Sequence, residues 1–153
     1  LFVHAYQAFL FNRCLSNMLR DGESITSCIK NDFCFKLENQ LTLGKLMKYL
    51  NNDNTEMVPA MHLPGYSFKS TDGRIERKLS HMLKEENISP KDFYVKEMQE
   101  LSVEGGFRQL PILVNDFSYS DDLLVKFKIP VGSYATILLR ELMKPDDPIK
   151  SGF

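Results

Sequence analysis

The chain contains no tryptophan and only three cysteines, Cys14, Cys28 and Cys34, with no C-x-x-C pair among them. An odd number without ligand spacing fits a reducing compartment and argues against a disulfide framework or a zinc knuckle. No apolar run approaches the ~18–20 residues that cross a bilayer, and no signal-peptide pattern is visible. The reading is therefore a cytoplasmic protein with no membrane partner. Neither sign of charge dominates: the formal net charge is −1 over 153 residues. Bulk electrostatics thus predict no polyanion, and a nucleic-acid contact would have to rest on local patches. There is no Gly-rich phosphate loop, no G-x-S-x-G and no H-E-x-x-H. His4, His62 and His81 are scattered, so no metal and no cofactor is expected. Internal repeats and low-complexity segments are also missing.

What remains is the composition of an ordinary globular protein, long enough for one well-buried domain or two small lobes. The chain opens on Leu1-Phe2-Val3-His4-Ala5-Tyr6, inside an amphipathic segment with no capping residue before it. That start suggests a piece of a longer protein. Val3, Tyr6, Leu10 and Cys14 recur at helical spacing, which predicts a helix over 2–20 that stops at Asp21-Gly22. Asp32–Glu38 alternates and reads as a strand. Thr42 is expected to cap a short helix over 43–50, followed by a loop at Asn51-Asn52-Asp53-Asn54. Val58–Tyr66 holds two prolines and a glycine, so irregular or edge structure is expected there. Asp72 reads as the cap of a helix running to about Glu86, and Ser89-Pro90 as the start of another reaching Leu101. After Gly105-Gly106, Phe107–Phe117 and Asp122–Ile129 read as paired strands. A final helix runs from about Ser133, a reasonable N-cap, to Met143, and 146–153 reads as a frayed tail. The class is α+β.

Candidate contact residues are few. Lys69, Arg74, Arg77 and Lys78 form a basic cluster diluted by Asp72 and Glu76. Lys126 and Lys128 share the outer face of a strand, where they could meet phosphates or protect an edge. Cys14 lies on an apolar helix face, where buried cysteine is inert. The break Pro130-Val131-Gly132-Ser133-Tyr134 places an aromatic between a strand end and a helix start, a common position for a binding residue. Gln7 and Phe11, four apart, share a face of the first helix. Asn12 points about 140° away from Gln7 and reads as a backbone anchor. Arg140 follows Tyr134 by six residues on the last helix, off Tyr134's face but long enough to reach a carboxylate or phosphate.

Four segments resemble the TruD family of tRNA pseudouridine synthases. His4-Ala5-Tyr6-Gln7-Ala8-Phe9-Leu10-Phe11-Asn12 resembles the family's third motif, with Ala8 in a Ser place. Leu63-Pro64-Gly65 and Gly106-Phe107-Arg108 follow in family order, with Gln109 where a second Arg is usual. Pro130-Val131-Gly132-Ser133-Tyr134-Ala135-Thr136, continuing to Leu139-Arg140-Glu141, resembles the C-terminal signature. The family's G-x-K-D, whose Asp is the nucleophile, and its N-x-F-G do not occur. The only Lys-Asp is Lys91-Asp92, which follows Pro90 in a helix-start context.

The resemblance implies the C-terminal portion of such an enzyme. Part of the pseudouridine synthase catalytic fold would be interrupted by the family-specific inserted domain. Residues 1–22 and 121–145 would belong to the catalytic fold, 23–120 to the insertion and 146–153 to a tail. The implied reaction isomerises uridine to pseudouridine, at tRNA position 13, without metal or cofactor. The nucleophile would come from an N-terminal part outside this chain, which alone would be inactive. Tyr134 would stack on the flipped uracil, Gln7, Phe11 and Arg140 would line the substrate site, and Asn12 and Ser133 would be structural. The implied partners are tRNA and the missing N-terminal part. The competing reading is a non-catalytic module of a truncated or diverged paralogue that binds structured RNA; a weaker one is a protein-interaction domain.

Overall fold

The computed structural model describes residues 2–39, 41–50 and 56–152. Helix α1 (Phe2–Arg20) is followed by strands β1 (Phe33–Leu37), β2 (Leu43–Lys48) and β3 (Met57–Leu63), then helix α2 (Arg74–Glu85). Two single 3-10 turns, Pro90–Phe93 and Gln99–Leu101, lead into β4 (Gly106–Gln109). A hairpin of β5 (Asn115–Tyr119) and β6 (Val125–Lys128) precedes helix α3 (Ala135–Met143). The expected α+β class is what the chain adopts.

Two compact units divide the chain: Leu1–Leu37 with Gly44–Pro111, and Glu38–Leu43 with Ile112–Phe153. In the first, a four-stranded sheet runs in the order β2-β1-β3-β4. β3 is antiparallel to both neighbours, with Phe35 opposite Val58 and His62 opposite Phe107. α1 buries Leu10, Phe11, Cys14 and Met18 against Ile75, Leu79, Met82 and Leu83 of α2 and Met61 of β3. Each such side chain taken from water contributes roughly 1.5–3 kcal/mol, which is what holds the two helices on the sheet. In the second unit, β5 and β6 pair antiparallel with an irregular register between Asn115 and Ser118. There Asp116 takes a left-handed φ of 51°.

Several expectations are corrected. Residues 43–48 form a strand, not a helix, beside β1; the backbones of Asn31 and Asp32 exchange hydrogen bonds with Tyr49, both at 2.8 Å. Met57–Leu63 is an interior strand despite Pro59. Pro59 sits level with the end of β4, where its carbonyl accepts the Leu110 N–H at 2.8 Å, so its missing donor costs the ladder one terminal bond. The helix expected over 89–101 is reduced to two turns. Asp92 does accept the Ser89 N–H at 2.7 Å, but Tyr94 is extended (φ −107°, ψ 111°). The Val103 N–H then closes the loop on the Phe93 carbonyl at 3.0 Å.

The strand expected over 107–117 is split between β4, which pairs with β3, and β5, which pairs with β6. Gly73 rather than Asp72 occupies the N-cap of α2, and Tyr134 rather than Ser133 that of α3. A Cβ at Gly73 would collide with the Glu76 carboxylate. Cys28 and Cys34 are joined as a disulfide, Cα–Cα 6.5 Å, against the expectation of none. The turn from Ile29 to Asp32, closed by a 2.9 Å backbone bond, brings them together. Residues 146–152 are organised by Asp147, which accepts the Ser151 N–H through its carbonyl and pairs with Lys150. The loop expected at 51–54 lies outside the described residues.

Candidate functional site

Three of the four motif segments meet in the first unit. The buried Gln7 donates from Nε2 to the Pro64 carbonyl at 2.6 Å, and its Oε1 lies 3.2 Å from His4 Nδ1. This bond joins α1 to the Leu63-Pro64-Gly65 turn. That turn is stitched to 103–105 by the Tyr66 N–H to the Val103 carbonyl (2.9 Å) and Ser67 Oγ to the Glu104 carbonyl (2.6 Å). The approach is so close that a Cβ on Gly65 would enter the backbone of Glu104 and Gly105; only glycine fits.

One turn along α1 from Gln7, Phe11 is buried and carries the Arg108 guanidinium 5.2 Å from its ring centroid. On the opposite face of β4, Phe107 packs against His62 (4.5 Å) and Phe33 (4.8 Å). Burial lowers the His62 pKa, which favours the neutral imidazole. Burial likewise pushes the Cys14 thiol up to about 11, which makes it a packing residue.

Gln7 therefore acts as a buried brace, while Phe11 supports a cation. Asn12, expected as an anchor, is exposed and makes no side-chain hydrogen bond among the described residues. Sequence reading places Arg108 inside a motif but gives it no role; the available signal was its unpaired charge in an otherwise apolar segment.

The basic cluster separates on inspection. Arg74 is committed to Asp32 (2.9 Å), Glu23 (3.4 Å) and the carbonyls of Ser24 and Ser27. Lys78 pairs with Asp21 (2.5 Å) and Glu23 (2.9 Å), and these carboxylates raise its pKa. Lys69 and Arg77 are exposed. Two of the four cations thus hold α2 against the segment after α1, a structural use of charge.

In the second unit, Tyr134 caps α3 and is 68% exposed. Gly132 turns the chain before it at φ +86°, and the Ser133 N–H bonds to the Pro130 carbonyl at 3.1 Å. Arg140 is partly exposed and 3.9 Å from Glu141. Lys128 pairs with Asp116 at 2.5 Å, whereas Lys126 is exposed. Among the described residues no cluster of His, Cys, Asp or Glu could hold a metal ion, and no helix is long and apolar enough to cross a membrane.

Comparison with known proteins gives the family. The family model described as tRNA pseudouridine synthase D (TruD) matches residues 1–142. The chain is 32% identical to the "probable tRNA pseudouridine synthase D" of Pyrobaculum islandicum, covering all of this chain and 35% of that one. It is 28% identical to the like-named protein of Thermococcus sibiricus, covering 94% and 37%. The crystal structure of the Methanosarcina mazei protein described as tRNA pseudouridine synthase D superposes with a TM-score of 0.79 at 25% identity, covering 97% of this chain and 38% of that one. The chain belongs to the TruD family, and it spans about a third of the length of the relatives it matches.

Proposed function

We propose that this chain is part of a tRNA pseudouridine synthase of TruD type, with the nucleophilic aspartate supplied by a segment outside it. The observation that carries this reading is Tyr134: an aromatic residue 68% exposed at the N-cap of α3, inside a segment that matches the family. Uridine cannot isomerise while stacked and must be flipped out of the RNA. Its N1–C1′ bond breaks, the uracil turns, and a C5–C1′ bond forms; C5 then loses its proton and N1 takes one up. The balance is zero, and no redox cofactor is needed. Throughout, the freed uracil needs a face to rest on, and base–aromatic stacking is worth ~1–3 kcal/mol. Tyr134 offers that face; Arg140, on the same helix, reaches a phosphate or the catalytic carboxylate.

We assign 1–22 and 121–145 to the catalytic fold and 23–120 to the inserted domain. On this assignment α1 is the seat of the insertion, through Gln7 to Pro64 and Leu10 to Met61. The second unit supports a partner in the remaining length of the protein. Leu123, Leu124, Val131 and Met143 are exposed there, and a two-stranded hairpin with one short helix does not make a core of its own.

The test is pseudouridine formation on tRNA by the complete protein. Tyr134→Ala should lower turnover roughly 5- to 150-fold with tRNA affinity within a few-fold, and Tyr134→Phe should keep most of the activity. Wild-type turnover in Tyr134→Ala would sink the stacking role. A complete protein that binds tRNA without converting it would favour the non-catalytic RNA-binding module.

A further inference from the structure

We propose that Arg108 is a phosphate-binding residue for the RNA, held ready by the ring of Phe11. The inference rests on the RNA-substrate reading above and adds to it a contact in the first unit.

β4 is pinned by Phe107, which packs on His62 and Phe33. Strand alternation sends Arg108 to the other face, level with Met61. There its guanidinium lies over Phe11 at 5.2 Å, and Phe11 is itself 5% exposed and fixed in the core. The support is therefore rigid while the cation is exposed.

In the first unit the other arginines with side-chain partners are committed to them: Arg13 pairs with Glu86, Arg74 with Asp32 and Glu23, and Arg20 bonds to Asn17. Arg108 has only the ring among the described residues. A ring contact occupies the flat face of a guanidinium and leaves its five N–H donors, which lie in the plane, open. A pre-oriented fork with open donors fits the two non-bridging oxygens of a phosphodiester.

The surroundings favour an anion. α1 has no Asp or Glu over its 19 residues, and the residues of β4 are Gly, Phe, Arg and Gln. The near-zero net charge of the whole chain is compatible with RNA binding through a local contact of this kind.

The test measures binding of an unmodified tRNA transcript to the complete protein across a salt series, with pseudouridine formation assayed in parallel. Arg108→Ala should weaken binding roughly tenfold at low salt and reduce the slope of log affinity against log salt by about 1. Arg108→Lys keeps the charge but not the fork, so it should keep the slope and lose part of the affinity. Phe11→Leu should act in the same direction as Arg108→Lys, because the cation remains but is no longer held. If the wild type binds and converts tRNA while Arg108→Ala keeps its affinity and salt slope, the Arg108 assignment falls and the family reading stands. If the wild type does not bind tRNA, both fall.

Discussion

Gln7 and Pro64 stand 57 residues apart in sequence and 2.6 Å apart in space, joined from side-chain Nε2 to backbone carbonyl inside the core. The bond satisfies a carbonyl that a proline-glycine turn would otherwise bury unpaired. It explains why an amide sits in the middle of an apolar helix stripe. Gln7→Leu removes the donor and strands the carbonyl, which should cost about 1–3 kcal/mol. Urea unfolding of the complete protein, followed by a probe in the first unit, checks this. A variant within 0.5 kcal/mol of wild type, by the usual order of surface changes, would mean the brace is dispensable.

Arg74 and Asp32 form the other internal tie, at 2.9 Å with Asp32 fully buried. Arg74→Met leaves a carboxylate in the core without its cation, so it should destabilise by about 3–5 kcal/mol. The double variant Asp32→Asn with Arg74→Met removes the stranded charge and should recover part of that loss. Additive losses in a double-mutant cycle would contradict a direct coupling.

Glu76 titrates where most acids do not. It is 1% exposed, no other described residue hydrogen-bonds its carboxylate, and burial raises its pKa from 4.5 to about 7. Its own backbone N–H and Lys48 oppose the rise, and Asp32 adds to it. The folded state thus holds a proton that the unfolded state has lost. That contribution is full below the unfolded value of 4.5, declines as pH climbs, and is gone once pH passes about 7. The loss across this window is roughly 3 kcal/mol. Glu76→Gln should flatten the stability-versus-pH curve over the window and exceed wild type above it. A wild-type slope in Glu76→Gln would place the titration elsewhere.

The elements legible in the sequence were those whose period and chemistry agree. α1 and α2 repeat apolar residues at helical spacing, and β1 alternates. Residues 43–50 misled because Leu43, Leu46, Met47 and Leu50 repeat like a helix, while their partners for pairing, Asn31 and Asp32, lie in a distant turn. Pro59 misled because its cost depends on where the neighbouring strand ends, which no local pattern states. The Cys28–Cys34 pairing depends on an intervening turn and is invisible to a count of cysteines. Tyr134's place at the start of the last helix was legible from the Pro-Gly break before it. Arg74 and Lys78 looked like free cations because Glu23 and Asp32, which neutralise them, lie more than forty residues upstream.

The long reach of α1 has a consequence for how the protein is made. Its apolar stripe is complete once Met18 has been synthesised, yet the surfaces that cover it come from β3 and α2, and its Arg13 meets Glu86 only 73 residues later. At a synthesis rate of roughly 5–20 residues per second, that separation takes about 4–15 s on the ribosome. Through that interval the helix has no cover of its own from this stretch of chain. Slowing the ribosome between β1 and α2 should therefore lower the soluble yield more than slowing it after α2.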